Sequence, residues 1–469
     1  MLFNSLQFLV YFIFVTTCYV VIPHRNRWIL LLSASCFFYM AFIPEYIFIL
    51  AFTIVIDYFA GIFIEKSQGR QRKRFLVLSL VANIGVLAIF KYYNFFIGQI
   101  NSLFQDSNQT VLLPALSILL PIGLSFHTFQ AMSYTIEVYR RHQKAERHFG
   151  IYALYVMFYP QLVAGPIERP QNLLHQFYEK HHFDFERFKS GISLIIFGLF
   201  KKVVIADRLS MAVDVAYGDP AQQSGTSLLI ATFFYAFQIY CDFSGYADIA
   251  IGSARIMGFK LMENFRNPYF SASIAEFWRR WHISLSTWFK DYLYFSLGGN
   301  KVSMGKHLRN LLIVFAISGI WHGANYTFLA WGILHGLFLC MAVVKNKLIG
   351  RMGFERSTSS FLQPISILIT FTLVCLSWVL FRAKSIEDAG IIYSKLHSIS
   401  TTDVITLGLH SNEIYFSLLL IFLLAIKDNY LPSPSMRNNY AFFISNFILL
   451  LLCYFFGVFN LQQFIYFQF

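Results

Sequence analysis

The sequence predicts an all-α, polytopic integral membrane protein, and three features support this: its composition, its apolar runs and the positions of its basic residues. Of the 469 residues, 57% are hydrophobic, 19% are aromatic and only 13% are charged, and the mean hydropathy is +0.55. A soluble globular chain has about 25% charged residues. Because lipid offers no hydrogen-bond partners to open backbone groups, the apolar runs of such a chain must cross the bilayer as helices.

Apolar runs long enough to cross a bilayer recur along the whole chain. A hydrocarbon core about 30 Å thick needs about 20 apolar residues in a helix, and we predict roughly a dozen such spans. The predicted spans cover residues 6–22, 28–44, 46–64, 75–98, 113–136, 150–168, 190–207, 226–254, 310–345, 364–382, 413–428 and 440–458. The run at 310–345 is expected to hold two helices. With no repeat and no long hydrophilic run, the chain is predicted to form one polytopic domain over residues 1–469.

Basic residues alternate between successive connections in the first part of the chain. They cluster at 24–27, 66–74 and 140–147, whereas the intervening turns at 44–45 and 101–110 contain no Lys or Arg. Since cytoplasmic loops carry the excess of Lys and Arg, the three clusters are predicted to face the cytoplasm and 101–110 to face outward. The formal charge of +13 is therefore a signal of topology and lipid contact, and no nucleic-acid partner is expected.

Neither cysteine nor histidine spacing favours a metal site. The six cysteines occur singly in apolar segments, without a CxxC pair or zinc spacing, and are predicted to be buried free thiols. His322 and His335 are 13 residues apart. On one continuous helix this separation gives about 220° of rotation and about 20 Å of rise. Sharing a metal would need a break at Gly323 or Gly332, and no further ligand set accompanies the pair, so no metal is expected.

Polar residues concentrate between about 238 and 335, inside otherwise apolar sequence. The first polar segment, 238–252, carries Asp242 and Asp248. Each acid has two open interpretations. It either locks helices together by bonding a hydroxyl, a basic side chain or freed backbone, or it takes part directly in a functional site.

The second polar segment, 273–300, is predicted to be one amphipathic helix that lies at an interface or lines a cavity. Ser273 and Glu276 form a capping-box pattern at its start, and the Gly-Gly-Asn sequence at 298–300 favours a stop. An aromatic-rich stripe at helical spacing is formed by Trp278, Trp281, Leu285, Trp288 and Tyr292. His282 lies beside this stripe, with Ser286 one turn further on and predicted to face the same way.

The third segment, 318–337, contains no acid, Lys or Arg and yet holds His322 and His335. An ionisable group in an apolar span is expensive and is therefore usually functional. Histidine suits general-base chemistry near neutral pH. From the residues alone, two classes stay open: an enzyme acting on a membrane-delivered substrate, and a transporter with proton-relay histidines.

Several motifs, in order along nearly the whole chain, resemble the membrane-bound O-acyltransferase superfamily. The most specific are FWRRWHISLSTW at 277–288 and WHG at 321–323, about 40 residues apart. Matching segments also occur at 121–141, 159–170, 240–252, 264–300, 318–336, 377–383 and 464–469. Within the superfamily, the chain resembles the bacterial branch that contains alginate O-acetyltransferases (AlgI) and teichoic acid D-alanyl transfer proteins (DltB).

The resemblance implies that His322 is the principal catalytic residue and that His282 is its partner, within a catalytic core at about 238–345. Further residues match motif positions and are implied to line or support the substrate passage; they are Asp242, Arg280, Trp281, Ser286, Trp321, Asn325 and His335. The implied fold has re-entrant or amphipathic helices that enclose a central tunnel together with the spans.

The implied reaction moves an acetyl group from a cytoplasmic thioester, acetyl-CoA or another acyl thioester, for O-acetylation of an extracytoplasmic polysaccharide such as alginate. No bound cofactor is expected. The resemblance also implies an extracytoplasmic SGNH-type acetyltransferase partner and a multi-pass location in the bacterial cytoplasmic (inner) membrane. Two alternatives remain: D-alanyl transfer to teichoic acid, and a proton-coupled transporter without acyl chemistry.

Overall fold

A computed structural model describes residues 1–106, 113–116, 121–163, 165–351, 362–400, 402–430, 439–459 and 464–465, and all regular elements within these ranges are helical. In chain order the α-helices are α1 (Leu6–Val21), α2 (His24–Met40), α3 (Ile47–Lys66), α4 (Gly69–Asp106), α5 (Leu124–Arg140), α6 (Phe149–Met157), α7 (Tyr159–Leu162), α8 (Pro170–Leu173), α9 (Phe185–Phe200), α10 (Asp207–Gly218), α11 (Gly225–Met257), α12 (Ile274–Arg280), α13 (Ile283–Phe289), α14 (Met304–His322), α15 (Tyr326–Arg351), α16 (Gln363–Arg382), α17 (Ile386–Lys395), α18 (Ser411–Tyr430) and α19 (Asn439–Phe456). Two segments, Lys201–Ala206 and Lys290–Tyr294, are π-helical.

The described helices confirm the all-α membrane fold. Six are long and apolar enough to cross a bilayer, and they cover Pro44–Lys66, Gly69–Phe104, Gly225–Met257, Tyr326–Ile349, Gln363–Arg382 and Asn439–Phe456. Leu6–Val21 is apolar but shorter. Within the described residues, fewer helices meet these criteria of length and hydropathy than the roughly one dozen spans predicted from the sequence.

Two predicted spans differ from the helices observed. Residues 150–168 do not form one helix, because α6 ends at Met157 and only the four-residue α7 follows, with Pro160 in its first turn. Proline lacks the N–H that would continue the hydrogen-bond ladder of a preceding helix. In the predicted span 113–136, the helix begins only at Leu124, and residues 117–120 lie outside the described part of the chain.

The chain divides into two compact units, Met1–Ile195 with Tyr246–Met262, and Ile196–Gly245 with Glu263–Phe469. The prediction of a single domain over 1–469 stays a prediction. In the first unit, α3, α4 and α5 pack against one another. The guanidinium of Arg72 donates to the carbonyls of Val138 and Tyr139 at 2.8 and 2.7 Å.

This contact joins the basic cluster at 66–74 to the end of α5, next to the cluster at 140–147. The two clusters therefore lie close together, which agrees with the prediction that both face the same side of the membrane. Their cytoplasmic orientation stays a prediction. Of the connection predicted to face outward, residues 107–110 lie outside the described ranges.

The segment 273–300 is not one amphipathic helix. It forms α12, α13 and a π-helical turn, and the break falls at His282, whose φ of 42° and ψ of 55° lie in the left-handed region. The predicted ends are confirmed. The Ser273 hydroxyl accepts the Glu276 N–H at 3.2 Å, and Gly298 and Gly299 have φ values of 96° and 59°.

The predicted pair of helices within 310–345 is confirmed as α14 and α15, which pack closely. A Cβ on Gly319 would lie 2.2 Å from the Phe328 carbonyl oxygen, and one on Gly332 would lie 2.2 Å from that of Phe315. Small residues of this kind let two membrane helices approach backbone to backbone. Gly332 is therefore a contact point inside α15, and the chain breaks after Gly323 instead.

Candidate active site

His322 is the last residue of α14 and is 4% exposed. Its ring packs edge-on against the rings of Trp331 and Phe381, with centroids 5.1 Å apart in both cases, and against that of the neighbouring Trp321 at 4.9 Å. Gly323 directly after it has no room for a side chain, because a Cβ would lie 2.1 Å from the Phe328 ring. The imidazole is thus held by aromatic rings on α14, α15 and α16.

His282 occupies the break between α12 and α13 and is 1% exposed. Its Nδ1 lies 3.2 Å from the Asn264 side-chain oxygen, and its ring meets the Phe243 ring at 4.6 Å with an interplanar angle of 88°. Burial lowers the pKa of the His282 imidazole well below its usual range, because the charged form loses its hydration. The ring is therefore neutral near pH 7, as a general base must be.

A chain of indole rings connects the surroundings of the two histidines. Trp281, directly before His282, packs against Trp378 at 5.1 Å. Trp378 stacks on Trp331 at 5.9 Å with an interplanar angle of 15°, and Trp331 contacts His322. The sequence placed Trp281 beside His282, but the partners on α15 and α16 become visible only in the structure.

His335 lies on α15, one turn after Trp331, and both of its ring nitrogens form hydrogen bonds. The Trp278 indole N–H donates to its Nδ1 at 3.3 Å, and its Nε2 lies 2.9 Å from the Ser377 hydroxyl. Since an indole nitrogen can only donate, Nδ1 accepts, and Nε2–H donates to Ser377. His335 thereby links α12, α15 and α16, which makes it a packing residue rather than a base in this arrangement.

A cavity of about 850 Å³ lies in the second unit beside the segments that carry the histidines. Arg280 and Ser286 line it, and so do Ile283, which follows His282, and Ser318, one turn before His322. The two histidine rings are not among its described lining residues. The prediction that Ser286 faces the same way as His282 rested on a continuous helix and does not hold, since His282 precedes α13.

The wall of this cavity is predominantly cationic. Its charged lining residues are Arg266, Arg279, Arg280, Lys290 and Glu276. Glu276 is already paired with Arg280 at 2.6 Å, so the wall keeps a net positive charge. A partly enclosed cationic wall attracts anionic groups such as phosphates.

Asp242 is part of a buried ion cluster. Lys202 lies 2.7 Å from one oxygen of Asp242 and 2.8 Å from Asp207, and the backbone N–H of Ile465 donates to the other Asp242 oxygen at 2.7 Å. Of the two interpretations of Asp242, these contacts match the helix lock through a basic side chain. Lys202 and Asp207 were not singled out from the sequence, although the Lys201–Lys202 pair inside an apolar run was a signal.

Two further motif residues support the site from its edges. The Asn325 side-chain oxygen accepts the Thr327 N–H at 3.1 Å and so caps the start of α15, and its amide donates to the Lys384 carbonyl at 2.8 Å. Trp321, at 5% exposure, packs on His322. Neither is a described lining residue of the cavity.

Residues 87–382 match the membrane-bound O-acyltransferase family. The chain belongs to this family. Membership of this family confirms the predicted enzyme class, an O-acyltransferase. It does not support the alternative of a transporter without acyl chemistry.

Three relatives indicate where the O-acyltransferase stands within the family. It is 39% identical over 404 residues to a probable alginate O-acetylase AlgI of Pseudomonas aeruginosa, covering 86% of this chain and 76% of the relative. It is 37% identical over 386 residues to a peptidoglycan O-acetyltransferase of Helicobacter pylori, covering 76% and 71%. A teichoic acid D-alanyltransferase of Streptococcus thermophilus is more distant, at 28% identity over 286 residues, covering 56% and 69%.

Replacing Ser286 by Trp should stop acyl transfer by this O-acyltransferase without unfolding it. Ser286 lines the cavity, so the indole would fill open volume that we predict the substrate to occupy. Ser286→Ala should be mild, because it removes only a hydroxyl that donates to the Trp281 carbonyl at 3.2 Å. The measurement is acyl transfer in membrane vesicles at matched protein abundance.

Ser296→Trp is the control, since it adds the same bulk ten residues further on, at an exposed position that is not among the described lining residues of the cavity. Equal transfer by Ser286→Trp and the unmodified protein would show that this cavity is not part of the substrate passage. If the indole instead overpacked a tight core, stability would fall by about 1–3 kcal/mol, which a melting measurement detects.

Proposed function

We propose that this chain transfers an acetyl group from a cytoplasmic thioester donor for the O-acetylation of an extracytoplasmic polysaccharide, such as alginate. His322 serves as the principal catalytic residue, and His282 serves as its partner. The single observation that carries the proposal is that two buried histidines lie beside one large cavity with a cationic wall. Aromatic packing connects the surroundings of the two histidines.

The chemistry follows from what a neutral imidazole can do. The acceptor hydroxyl attacks the thioester carbonyl carbon while His322 takes the hydroxyl proton, and the tetrahedral centre then collapses. The carbon–sulfur bond breaks, and the proton passes to the departing thiolate, so that the histidine ends the cycle neutral. His282 orients the reacting groups or shares this proton. No covalent acyl-enzyme is needed in this sequence of steps.

The cavity supports a donor that carries negative charge. Arg279 and Lys290 contribute positive charge to its wall, and acyl thioesters such as acetyl-CoA carry phosphates. Enclosing the thioester in a partly buried cavity also limits the access of water, which would otherwise compete with the acceptor hydroxyl. This arrangement fits acetyl-CoA or another phosphate-bearing acyl thioester as the donor substrate, with no resident cofactor.

The acceptor class follows from the relatives. Those named above include proteins named for alginate and for peptidoglycan O-acetylation, and the similarity to them covers most of this chain. An extracytoplasmic SGNH-type acetyltransferase then completes the transfer onto the polymer as a separate partner. The location proposed for this chain is the bacterial cytoplasmic membrane.

The test uses membranes of the producing cell, in which the chain and its natural partners are present. Inverted vesicles receive radiolabelled acetyl-CoA, and alkali-labile label is measured on polymer. The expected result is labelled ester that depends on this chain. D-alanyl transfer from a carrier protein, with no transfer from acetyl-CoA, would instead favour the teichoic acid function of the more distant relative.

A further inference from the structure

We propose that Asn264 is a positioning residue for His282: its side-chain oxygen fixes the imidazole tautomer that leaves Nε2 as the proton acceptor. The inference rests on the role proposed above for His282 and adds a residue to which no function has been assigned. Asn264 is 1% exposed and lies in the connection between α11 and α12.

The hydrogen bonds identify the atom that faces the histidine. The backbone N–H and the hydroxyl of Ser284 both approach the same Asn264 side-chain atom, at 3.2 and 2.9 Å. A backbone N–H can only donate, so this atom is the amide oxygen and not the nitrogen. The amide orientation is therefore determined by a contact independent of the histidine.

The tautomer of His282 follows from that assignment. Its Nδ1 lies 3.2 Å from the same Asn264 oxygen, which has no proton to give. Nδ1 must therefore carry the hydrogen and donate it. In a neutral imidazole the other nitrogen, Nε2, then holds the lone pair that can accept a proton from a hydroxyl.

The backbone of Asn264 holds the same turn in place. Its carbonyl accepts the N–H of Ile283 at 2.9 Å, and two residues further on the Arg266 N–H donates to the Arg280 carbonyl at 2.9 Å. Between these two bonds, His282 adopts a left-handed conformation that residues with a Cβ rarely occupy. Asn264 thus fixes both the backbone geometry and the ring orientation of His282.

Three acidic side chains on the surrounding elements are paired with basic ones. On α11, Asp242 is bound by Lys202. On the segment that carries Asn264, Glu263 pairs with Arg266 at 2.7 Å, and on α12 Glu276 pairs with Arg280 at 2.6 Å. A new carboxylate at position 264 would therefore be the charge that acts most directly on the His282 ring.

Asn264→Asp is the decisive substitution, because it keeps the shape and the acceptor and adds one negative charge. The donors now bound to the amide oxygen, His282 Nδ1 and both Ser284 groups, would hold the introduced carboxylate ionised. That charge favours the imidazolium, so the acid limb of the pH profile of kcat/KM should move upward by about one pH unit or more. Transfer at high pH should be retained.

Asn264→Leu removes the oxygen that accepts from His282 Nδ1, so that the imidazole is no longer held in one tautomer. We expect kcat to fall by about 10²-fold or more at every pH, with KM for acetyl-CoA unchanged, because the wrong tautomer of His282 cannot share the hydroxyl proton with His322. Both variants are assayed with radiolabelled acetyl-CoA in native vesicles at matched abundance. If Asn264→Leu fails to accumulate, the pH profile of Asn264→Asp still decides the question.

Asn310→Asp is the matched control. Asn310 is also a fully buried asparagine of the second unit, but it binds the backbone carbonyls of Leu297 and Gly299. The control should lower stability and leave the acid limb in place. An unshifted acid limb in Asn264→Asp, or full kcat in Asn264→Leu, overturns the positioning role. Absence of transfer by the unmodified chain would instead overturn the proposed function itself.

Discussion

Replacing His322 by Gln is expected to reduce polymer acylation by at least about 10²-fold, the range attributed to a general base, while the protein stays in the membrane at its normal level. Glutamine retains hydrogen-bonding capacity and comparable size but cannot accept a proton near neutral pH. The His322 side chain packs against the rings of Trp331 and Phe381, and glutamine would occupy most of the same space between them. The measurement is label transferred from acetyl-CoA to polymer, normalised to the amount of chain in the membrane.

His335→Gln supplies the matched control for this experiment. His335 is a buried histidine of the neighbouring helix α15, and it contacts the same Trp331. A glutamine there can still accept from Trp278 and donate to Ser377, so transfer per molecule should be nearly unchanged. Full acylation by His322→Gln would refute its catalytic role, and loss of the protein from the membrane would favour a purely structural one.

The positions of several helices could be predicted because lipid imposes a simple requirement on the backbone. Apolar runs at 226–254 and 364–382 correspond within a few residues to α11 and α16. Of the two glycines named as alternative break points, Gly323 lies at the boundary between α14 and α15, whereas Gly332 lies inside α15. The prediction failed where contacts distant in sequence interrupt a helix.

The segment 273–300 illustrates the failure. Its aromatic stripe has helical spacing, and local periodicity therefore favours one continuous helix. The N–H of Ile283 instead bonds the carbonyl of Asn264, which is 19 residues earlier, and His282 takes a left-handed conformation. No periodicity within 273–300 carries information about that partner.

The candidate site was predicted only as a set of residues. The resemblance identified His322 and His282, but it could not supply their surroundings, because Trp331 and Trp378 come from separate helices. Asp242 shows the same limit. Sequence left open whether it locks helices or takes part in the site, and only the position of Lys202, 40 residues earlier, shows which groups it contacts.

Replacing Lys202 by Met should have the largest effect on stability of any substitution considered. Lys202 lies between the carboxylates of Asp207 and Asp242, and all three side chains are at most 5% exposed. Methionine has a similar volume but no charge, so two buried acids would face each other without their shared cation. Breaking a buried pair in this way costs about 3–5 kcal/mol of the free energy of unfolding.

The readout is the melting temperature and membrane abundance of Lys202→Met, compared with two controls. Asp242→Asn leaves the Lys202–Asp207 pair intact and keeps an oxygen for the Ile465 N–H, so its cost should be small. Combining Lys202→Met with Asn at both acidic positions removes every charge of the cluster and should recover much of the lost stability, because replacing all buried charges together leaves none uncompensated. A Lys202→Met protein that melts like the unmodified chain would show that the two acids do not depend on this lysine for their charge balance.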